Sequence, residues 1–272
     1  MIPRANITAW RAVVPWPANE QVEQDLVLSR ALVAMFSKKV VADRAVLRGG
    51  TALHKLFLGA SGRYSEDIDL VQRDAGPIRE LIDGIREALD SWIGSPKWEQ
   101  GKGRFTLHYR FETSFAPVSP RRLKIEINTR EHFTVLGTAA RPFTVENPWF
   151  TGTAGVTVYY LDELLGTKLR ALYQRKKGRD LYDLWFALAA AKPSPDRIVE
   201  CFQRYMAHDG MTVSRAEFEA NLAAKLASAS FLQDLRVLVP PEIKYDPVEA
   251  AQVLKDQLIA KLPGEPWKGS AP

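Results

Sequence analysis

The chain has 272 residues, of which 46% are hydrophobic and 25% are charged, and its formal net charge is +5. These values indicate a globular protein with a substantial core, in one large domain or two modest ones, and the charge is compatible with a polyanionic partner such as RNA or DNA. The single cysteine, Cys201, excludes an intramolecular disulfide, and no Cys and His spacing fits a structural zinc site. No apolar run has the length of a signal peptide or a bilayer span, so we expect a cytoplasmic protein with no membrane partner.

The first predicted elements are helix, strand, glycine turn and helix. Apolar residues recur at helical spacing between Asn19 and Lys39 and predict one amphipathic helix. A short apolar run from Ala45 to Leu47 then meets Gly49 and Gly50, after which Thr51 to Leu58 returns to helical periodicity. The two glycines either form only a turn, or they let backbone N–H groups approach a phosphate, aided by the field of the following helix N-terminus.

Two later segments alternate acidic or polar residues with aliphatic ones and predict strands. The segment Glu66 to Val71 places Asp67 and Asp69 on one face, and Arg121 to Asn128 carries Glu126 on its polar face. Three carboxylates on one sheet can hold two Mg²⁺ ions, because hard oxygen ligands suit this cation. Such a pair orients an attacking hydroxyl and polarises the α-phosphate of a nucleoside triphosphate. The alternative is that these acids are only solvent-facing residues of a sheet.

The remaining pattern predicts one further helix, one hairpin and a helical second half. A helix is predicted from Pro77 to Trp92 and a hairpin from Lys97 to Glu112. The segment from Gly137 to Gly155 is rich in Gly, Thr and Pro, which is typical of a connecting or surface segment, and we place a domain boundary near residue 150. Beyond a short strand at Val156 to Tyr160, helices are predicted within 161–188, 196–208, 215–227 and 248–261.

A basic cluster lies within the first of these helical stretches. The cations from Lys168 through Arg175 to Arg179 are followed by Asp180 and Asp183. They would suit a triphosphate or an RNA backbone. The alternative is a solvated helix face in which Lys168 and Arg179 pair with Asp180 or Asp183.

Four blocks, in this order, carry a family resemblance. They are L-R-G-G-T-A-L-H-K (Leu47 to Lys55), R-Y-S-E-D-I-D-L (Arg63 to Leu70), K-I-E-I-N (Lys124 to Asn128) and T-K-L-R-A-L-Y-Q-R-K-K-G-R-D-L-Y-D-L (Thr167 to Leu184). The first two resemble the first motif of the AbiEii/AbiGii-type nucleotidyltransferase toxins, a branch of the DNA polymerase β-like nucleotidyltransferase superfamily. The third has Glu126 at the third carboxylate position, and the fourth resembles the family's Lys…Arg-Asp helical motif. The interval between Gly50 and Asp67 is longer than in minimal motifs of the superfamily.

The resemblance implies a fold, an activity and a set of site residues. The implied fold is an α/β (α+β) nucleotidyltransferase core with a mixed, twisted sheet over residues 1–150, followed by a mainly helical domain over 151–272 that completes the active-site cleft. The implied enzyme uses an NTP and two Mg²⁺ ions, with Asp67, Asp69 and Glu126 as catalytic metal ligands and Lys168 and Asp180 as further catalytic residues. The residues expected to contact the nucleotide are Gly49, Gly50, Thr51, Lys55, Arg63, Ser65, Lys168, Arg175 and Arg179.

The resemblance also implies a biological role. It indicates the toxin of a bacterial toxin–antitoxin or phage abortive-infection pair, which transfers NMP from an NTP to an acceptor hydroxyl. The leading acceptor is the 3′ end of tRNA, whose modification would block translation, and the implied protein partner is a separately encoded antitoxin of winged-helix type. Two alternatives stay open at this point, namely transfer to a protein side chain and a nucleotide- or RNA-binding module without turnover.

Overall fold

The chain divides into two compact units, Met1–Tyr159 and Tyr160–Pro272. The computed structural model describes residues 2–59, 62–235, 238–239 and 242–269. The division falls after residue 159 rather than near residue 150, because the last strand of the first unit ends there. None of the helices in the described part of the chain combines the length and the hydropathy that a bilayer crossing requires.

The first unit is built on a mixed sheet of seven strands. The strands are β1 (Ala45–Arg48), β2 (Asp67–Gln72), β3 (Lys97–Gly101), β4 (Arg104–Glu112), β5 (Pro120–Asn128), β6 (Thr138–Asn147) and β7 (Phe150–Tyr159). Their spatial order is β3-β4-β5-β2-β1-β7-β6. The pairs β1–β7 and β2–β5 are parallel and the other neighbours are antiparallel, which confirms the predicted mixed sheet.

Five helices accompany this sheet in the part of the first unit that the structure describes. They are α1 (Arg4–Trp10), α2 (Asn19–Phe36), α3 (Lys39–Arg44), α4 (Gly49–Leu53), which continues in a wider turn through His54–Leu58, and α5 (Arg79–Ile93). Helix α2 packs against β7 and against α5, and Leu26, Leu28 and Leu32 on it are fully buried. Helix α2 therefore covers an apolar face of the sheet, because such a face is stable only when another element removes it from water.

Alternation along β2 and β5 separates an apolar face from a polar one. The aliphatic residues Ile68 and Leu70 of β2 are fully buried, as are Leu123, Ile125 and Ile127 of β5. Their neighbours in sequence therefore point to the opposite face, since successive side chains of a strand alternate. The prediction that acids and aliphatic residues would separate in this way is confirmed.

The interpretation of residues 137–155 as a connecting segment is wrong. Strands β6 and β7 pair along their whole length, from Thr138 opposite Tyr159 to Asn147 opposite Phe150. The composition misled because β6 is an edge strand, where a proline such as Pro142 removes no ladder bond that the sheet needs. Strand β7 is internal, and its residues Val156 and Val158 are buried.

The second unit is helical, as predicted. Its helices are α6 (Leu161–Gln174), α7 (Gly178–Ala191), α8 (Pro195–His208), α9 (Arg215–Leu226), α10 (Ala229–Gln233) and α11 (Pro247–Gln257). Helix α6 packs closely on α8 at Gly166, where an added Cβ would lie 2.5 Å from the Cβ of Cys201. The core of this unit consists of fully buried residues that include Leu164, Leu169, Leu172, Phe202, Phe218 and Leu254.

Candidate active site

The parallel pairing of β2 with β5 brings the three predicted carboxylates to one face of the sheet. Asp67 lies opposite Lys124, and Asp69 lies opposite Glu126. Directly opposed residues on neighbouring strands project to the same face. The side chains of Asp67, Asp69 and Glu126 therefore share the face that the buried aliphatic residues leave free.

Lys124 lies between two of these carboxylates. Its Nζ is 3.6 Å from Asp67 Oδ2 and 3.1 Å from Glu126 Oε2, while Arg104 Nη1 is 3.9 Å from the same Glu126 oxygen. Burial raises the pKa of Asp67 above its usual range, and the neighbouring charge of Asp69 adds to the increase while Lys124 opposes it. Burial alone would lower the pKa of Lys124, but the carboxylates of Asp67 and Glu126 outweigh it and raise that pKa.

The carboxylates of this face are of the chemical kind that a hard divalent cation binds. Among the residues that the structure describes, no group of three or more His, Cys, Asp or Glu is gathered closely enough to hold a metal ion. However, Asp67 and Glu126 already converge on one cationic group, the ammonium of Lys124, and Asp69 is the register partner of Glu126. Oxygen ligands from carboxylates are those that Mg²⁺ takes in nucleotide-processing sites.

The two glycines predicted as a turn before the helix are the first residues of α4, and they lie against this face. Gly49 has φ +79°, and a Cβ added there would stand 2.3 Å from Asp69 Oδ2. A Cβ added at Gly50 would stand 2.5 Å from Arg63 Nη2 and 3.2 Å from Ser65 Oγ. The positive φ of Gly49 favours glycine there, and a larger residue at either position would displace a neighbouring polar side chain.

Several residues predicted to contact the nucleotide meet where β2 begins. The hydroxyl of Thr51 lies 2.9 Å from Ser65 Oγ and donates to the backbone carbonyl of Asp67 at 2.5 Å. Arg63 is buried, and its Nη1 donates to the carbonyl of Tyr64 at 2.9 Å. Thr51 is also buried, so its contacts hold α4 to the start of β2, whereas Ser65 is partly exposed.

Lys55 has a buried carboxylate partner that the sequence did not reveal. Its Nζ lies 2.7 Å from both oxygens of Asp25, which is 1% exposed. The same carboxylate accepts hydrogen bonds from the indole N–H groups of Trp10 and Trp16, each at 2.9 Å. Lys55 thus ties the wider turn after α4 to α2 and to the N-terminal segment.

In the second unit, Lys168 and Asp180 form a buried ionic network. Lys168 Nζ lies 3.4 Å from Asp180 Oδ1 and 2.7 Å from Asp183 Oδ2. Arg175 donates two hydrogen bonds to the Asp180 carboxylate, at 2.7 and 2.8 Å. Burial acts to raise the pKa of Asp180, but Lys168 and Arg175 outweigh it and hold that pKa below its usual value.

The alternative of a solvated helix face with internal ion pairs holds only in part, because Lys168 pairs with Asp180 and Asp183 but is buried, and Arg179 pairs with Asp234 instead. Arg179 Nε lies 3.7 Å from Asp234, and its backbone N–H donates to the same carboxylate at 3.2 Å. The side chain of Arg175 remains half-exposed although it binds Asp180. Arg175 is therefore the member of the network that a ligand can reach from solvent.

Three polar residues of these clusters were not predicted as site residues. Lys124 lies inside the K-I-E-I-N block, so its position beside Glu126 was a usable signal once the strands are paired. Asp183 was considered only as a pairing partner, yet it makes the shortest contact to Lys168. Asp25 gave no signal, because its partners Trp10, Trp16 and Lys55 are separated from it along the chain.

Comparison with solved structures finds the same fold in nucleotidyltransferases. MenT4, a nucleotidyltransferase toxin from Mycobacterium tuberculosis, superposes with a TM-score of 0.67 at 19% identity, over 97% of this chain and 91% of that chain. JHP933 from Helicobacter pylori superposes with a TM-score of 0.56 at 18% identity, over 88% and 90% of the two chains. A putative nucleotidyltransferase from H. pylori gives a TM-score of 0.51 at 18% identity, over 88% and 93%. Identities this low show a shared fold.

Comparison with protein families identifies the chain. No curated protein sequence matches it. The family model described as nucleotidyl transferase AbiEii toxin, type IV toxin–antitoxin system, matches residues 30–253, which include both the carboxylate face and the buried network of the second unit. The chain therefore belongs to the AbiEii family of nucleotidyltransferase toxins from type IV toxin–antitoxin systems.

Proposed function

We propose that this nucleotidyltransferase moves NMP from an NTP to a hydroxyl at the 3′ end of tRNA, releases pyrophosphate and thereby blocks translation. The observation that carries the proposal is the shared face of Asp67, Asp69 and Glu126, set by the register of β2 and β5. Three carboxylates on adjacent strands supply the ligands that a two-metal phosphoryl transfer requires.

In this proposal the first unit holds the reacting groups. Asp67, Asp69 and Glu126 bind the divalent cations, which when present polarise the α-phosphate and neutralise charge on the departing pyrophosphate. Gly49 keeps space for the Asp69 carboxylate, and Gly50 keeps space for the guanidinium of Arg63. Such close backbone approach leaves N–H groups near the cation site available to phosphate oxygens.

Side chains around the glycine turn are proposed to position the nucleotide. Ser65 is partly exposed beside Gly50 and is the hydroxyl best placed to contact a phosphate oxygen. Thr51 and Arg63 are buried and act by shaping the turn, through the bonds of Thr51 to Asp67 and Ser65. Lys55 contributes through its ion pair with Asp25, which fixes the segment that follows α4.

The basic cluster of the second unit is proposed to contact the triphosphate. Asp180 orients Lys168 and Arg175, because both cations bind its carboxylate. Arg175 is half-exposed and can give a charge-assisted contact to phosphate oxygens, with Lys168 and Arg179 as further cations of the same cluster.

Membership in a type IV toxin–antitoxin family implies a cognate antitoxin. We propose that this partner is encoded separately and is of winged-helix type, as the sequence resemblance implies. Restored growth of toxin-expressing cells by a neighbouring gene for a winged-helix protein would support this partner. Failure of that gene to restore growth would contradict it.

The proposal is tested by supplying purified protein with Mg²⁺, each α-³²P-labelled NTP in turn, total bacterial tRNA and a total protein extract. Label is expected on tRNA and is expected to vanish in Asp69→Asn. The matched control is Asp74→Asn, the same change at an exposed aspartate just beyond β2, which should label tRNA like the wild type. Label on protein instead of tRNA would replace the proposed acceptor with a protein side chain, and no transfer at all would leave a binding module.

A further inference from the structure

Strands β4 and β5 carry arginines that no element of the proposed chemistry uses. Arg110 on β4 and Arg122 on β5 are register partners, and they share a face of the sheet with Lys124 and Asp67, whereas Arg121 alternates to the opposite face. We propose that Arg110, Arg122 and Lys124, the basic strip, bind the phosphate backbone of the RNA acceptor and lead its 3′ end to Asp67. This inference rests on the proposed function, since it names the surface by which the acceptor reaches the same site.

The basic strip opens directly onto the catalytic face. It lines a groove of about 540 Å³ in the first unit. The other residues that line this groove are Gln24, Glu66, Asp67, Pro120 and Arg121. Because Asp67 is part of the groove wall, a chain that lies in the groove can present its end to the carboxylates.

The strand register places arginines directly opposite one another. Arg110 is the partner of Arg122, and Phe111 is the partner of Arg121, in the antiparallel pair β4–β5. Like charges at directly opposite positions destabilise a sheet, because their Cβ atoms lie within about 5.5 Å. Bound phosphate would relieve this repulsion.

No carboxylate neutralises these arginines within the part of the chain that the structure describes. The salt bridges there include none to Arg110, Arg121 or Arg122, although Glu66 and Asp67 line the same groove. The side chains of Arg110 and Arg122 are exposed, and the Nε of Arg121 is buried without a hydrogen-bond partner. By contrast, Lys38 and Arg48 elsewhere in the first unit each have a glutamate partner.

The shape of the strip favours a polynucleotide over a single triphosphate. Arg122 lies four residues along β5 from Glu126, which corresponds to about 13 Å at the rise of a strand. The cations of the basic strip therefore extend away from the carboxylates along the sheet, as the phosphates of a nucleic acid extend away from its 3′ end. None of the described groove residues is aromatic, so the groove offers no aromatic platform for base stacking, and its cations suit contacts to backbone phosphates.

The inference is tested by binding rather than by turnover. Total bacterial tRNA is the probe, filter binding is the readout, and every protein carries Asp69→Asn so that no transfer occurs. Arg110→Gln/Arg122→Gln is expected to weaken binding about tenfold and to lower the slope of log K against log salt by about 1 to 2 between about 50 and 200 mM salt, because each cation that neutralises a phosphate releases counterions.

Two further variants show whether the effect comes from the basic strip itself, from a lower net charge of the protein or from a loss of folding. Lys192→Gln/Arg204→Gln removes two exposed cations of the second unit and should keep the original slope. Arg110→Lys/Arg122→Lys keeps both charges on the sheet and should restore most of the slope, since phosphate binding depends mainly on charge.

Each remaining outcome decides the inference. An unchanged tRNA slope and affinity in Arg110→Gln/Arg122→Gln overturns it, as does a loss of binding to α-labelled NTP with tRNA binding intact. If the enzyme without these substitutions transfers label to tRNA while Arg110→Gln/Arg122→Gln leaves the salt slope unchanged, the role of the basic strip is refuted and the proposed function stands. A lowered slope together with no transfer to tRNA would refute the proposed function and keep the strip as an RNA-binding surface.

Discussion

Asp69 and Gly49 are in such close contact that the carboxylate occupies the space in which a side chain at position 49 would begin. A Cβ at Gly49 would stand 2.3 Å from Asp69 Oδ2. Gly49→Ala should therefore displace the carboxylate and lower the rate of nucleotide transfer about a hundredfold or more, as expected when a charge-stabilising group is misplaced. Steady-state transfer kinetics measure the effect.

Gly94→Ala is the matched control for this change. Gly94 has φ +84°, close to the +79° of Gly49, but an added Cβ there meets no atom within 4 Å. Both variants should lose unfolding free energy because alanine is strained at a positive φ, by about 1 to 3 kcal/mol at Gly94, where ψ is 179°. Equal transfer rates in the two variants would show that the contact with Asp69 has no role in the reaction.

Lys124 is expected to compete with a divalent cation for the same carboxylates. Its ammonium lies within 3.6 Å of Asp67 and 3.1 Å of Glu126, so Lys124→Met should tighten Mn²⁺ binding several-fold by removing the competing charge. Calorimetric titration with Mn²⁺ measures this. Lys97→Met, at an exposed position of β3, should leave Mn²⁺ affinity unchanged. Weaker Mn²⁺ binding in Lys124→Met would mean that the carboxylates do not form a cation site.

Lys55 is expected to act on stability rather than on nucleotide affinity. Lys55→Met leaves the Asp25 carboxylate buried without its cation, with hydrogen bonds from Trp10, Trp16 and Ser29, and loss of one partner of a buried ion pair costs about 3 to 5 kcal/mol. Denaturant unfolding should show this loss, with little change in KM for NTP. Lys39→Met removes an exposed pair with Asp43 and should change stability little. A raised KM at unchanged stability would show direct nucleotide contact by Lys55.

Because of Asp180, the unfolding free energy of the helical unit is expected to depend on pH in the acid range. Its folded-state pKa lies below the usual 3.8, so its stabilising contribution is present above that pH and is lost as pH falls through the folded pKa. Asp180→Asn should lower unfolding free energy by about 3 kcal/mol at neutral pH, since Lys168 and Arg175 lose a charged partner. The difference from wild type should shrink on acidification below 3.8.

The control for Asp180 is Asp196→Asn, which removes an exposed carboxylate that pairs with Lys261. Surface pairs of this kind contribute little, so its unfolding free energy should follow the wild type at every pH. A constant difference between Asp180→Asn and the wild type across the acid range would contradict the assigned pKa direction.

The sequence predicted those parts of the site that depend on local pattern. Alternation along β2 and β5 was enough to separate Asp67 and Asp69 from the buried Ile68 and Leu70, because the period of a strand is two. The glycine pair that begins α4 was likewise visible in the sequence. The edge hairpin of β6 and β7 was not, since edge strands accept the Pro, Gly and Thr content that also marks loops.

Contacts between distant segments could not be predicted. Arg110 faces Arg122 only because the hairpin register aligns β4 with β5, and a slip of one residue would separate them. Asp25 gathers Trp10, Trp16 and Lys55 only after α1, α2 and the turn after α4 have packed. Strand register and packing are set by the whole fold, so the periodicity of a single sequence does not predict them.

The most direct test of the central claim is a double-variant cycle on Asp69 and Glu126, which are register partners. The rate of transfer is measured for Asp69→Asn, Glu126→Gln and the double variant. If the two carboxylates act as one centre, the transfer rate of each single variant falls about a thousandfold. The double variant is then no slower than the slower of the two single variants, because the effects of groups that act as a unit are not additive. A double variant whose loss is the product of the two single losses, or a single variant with the wild-type rate, would contradict the account.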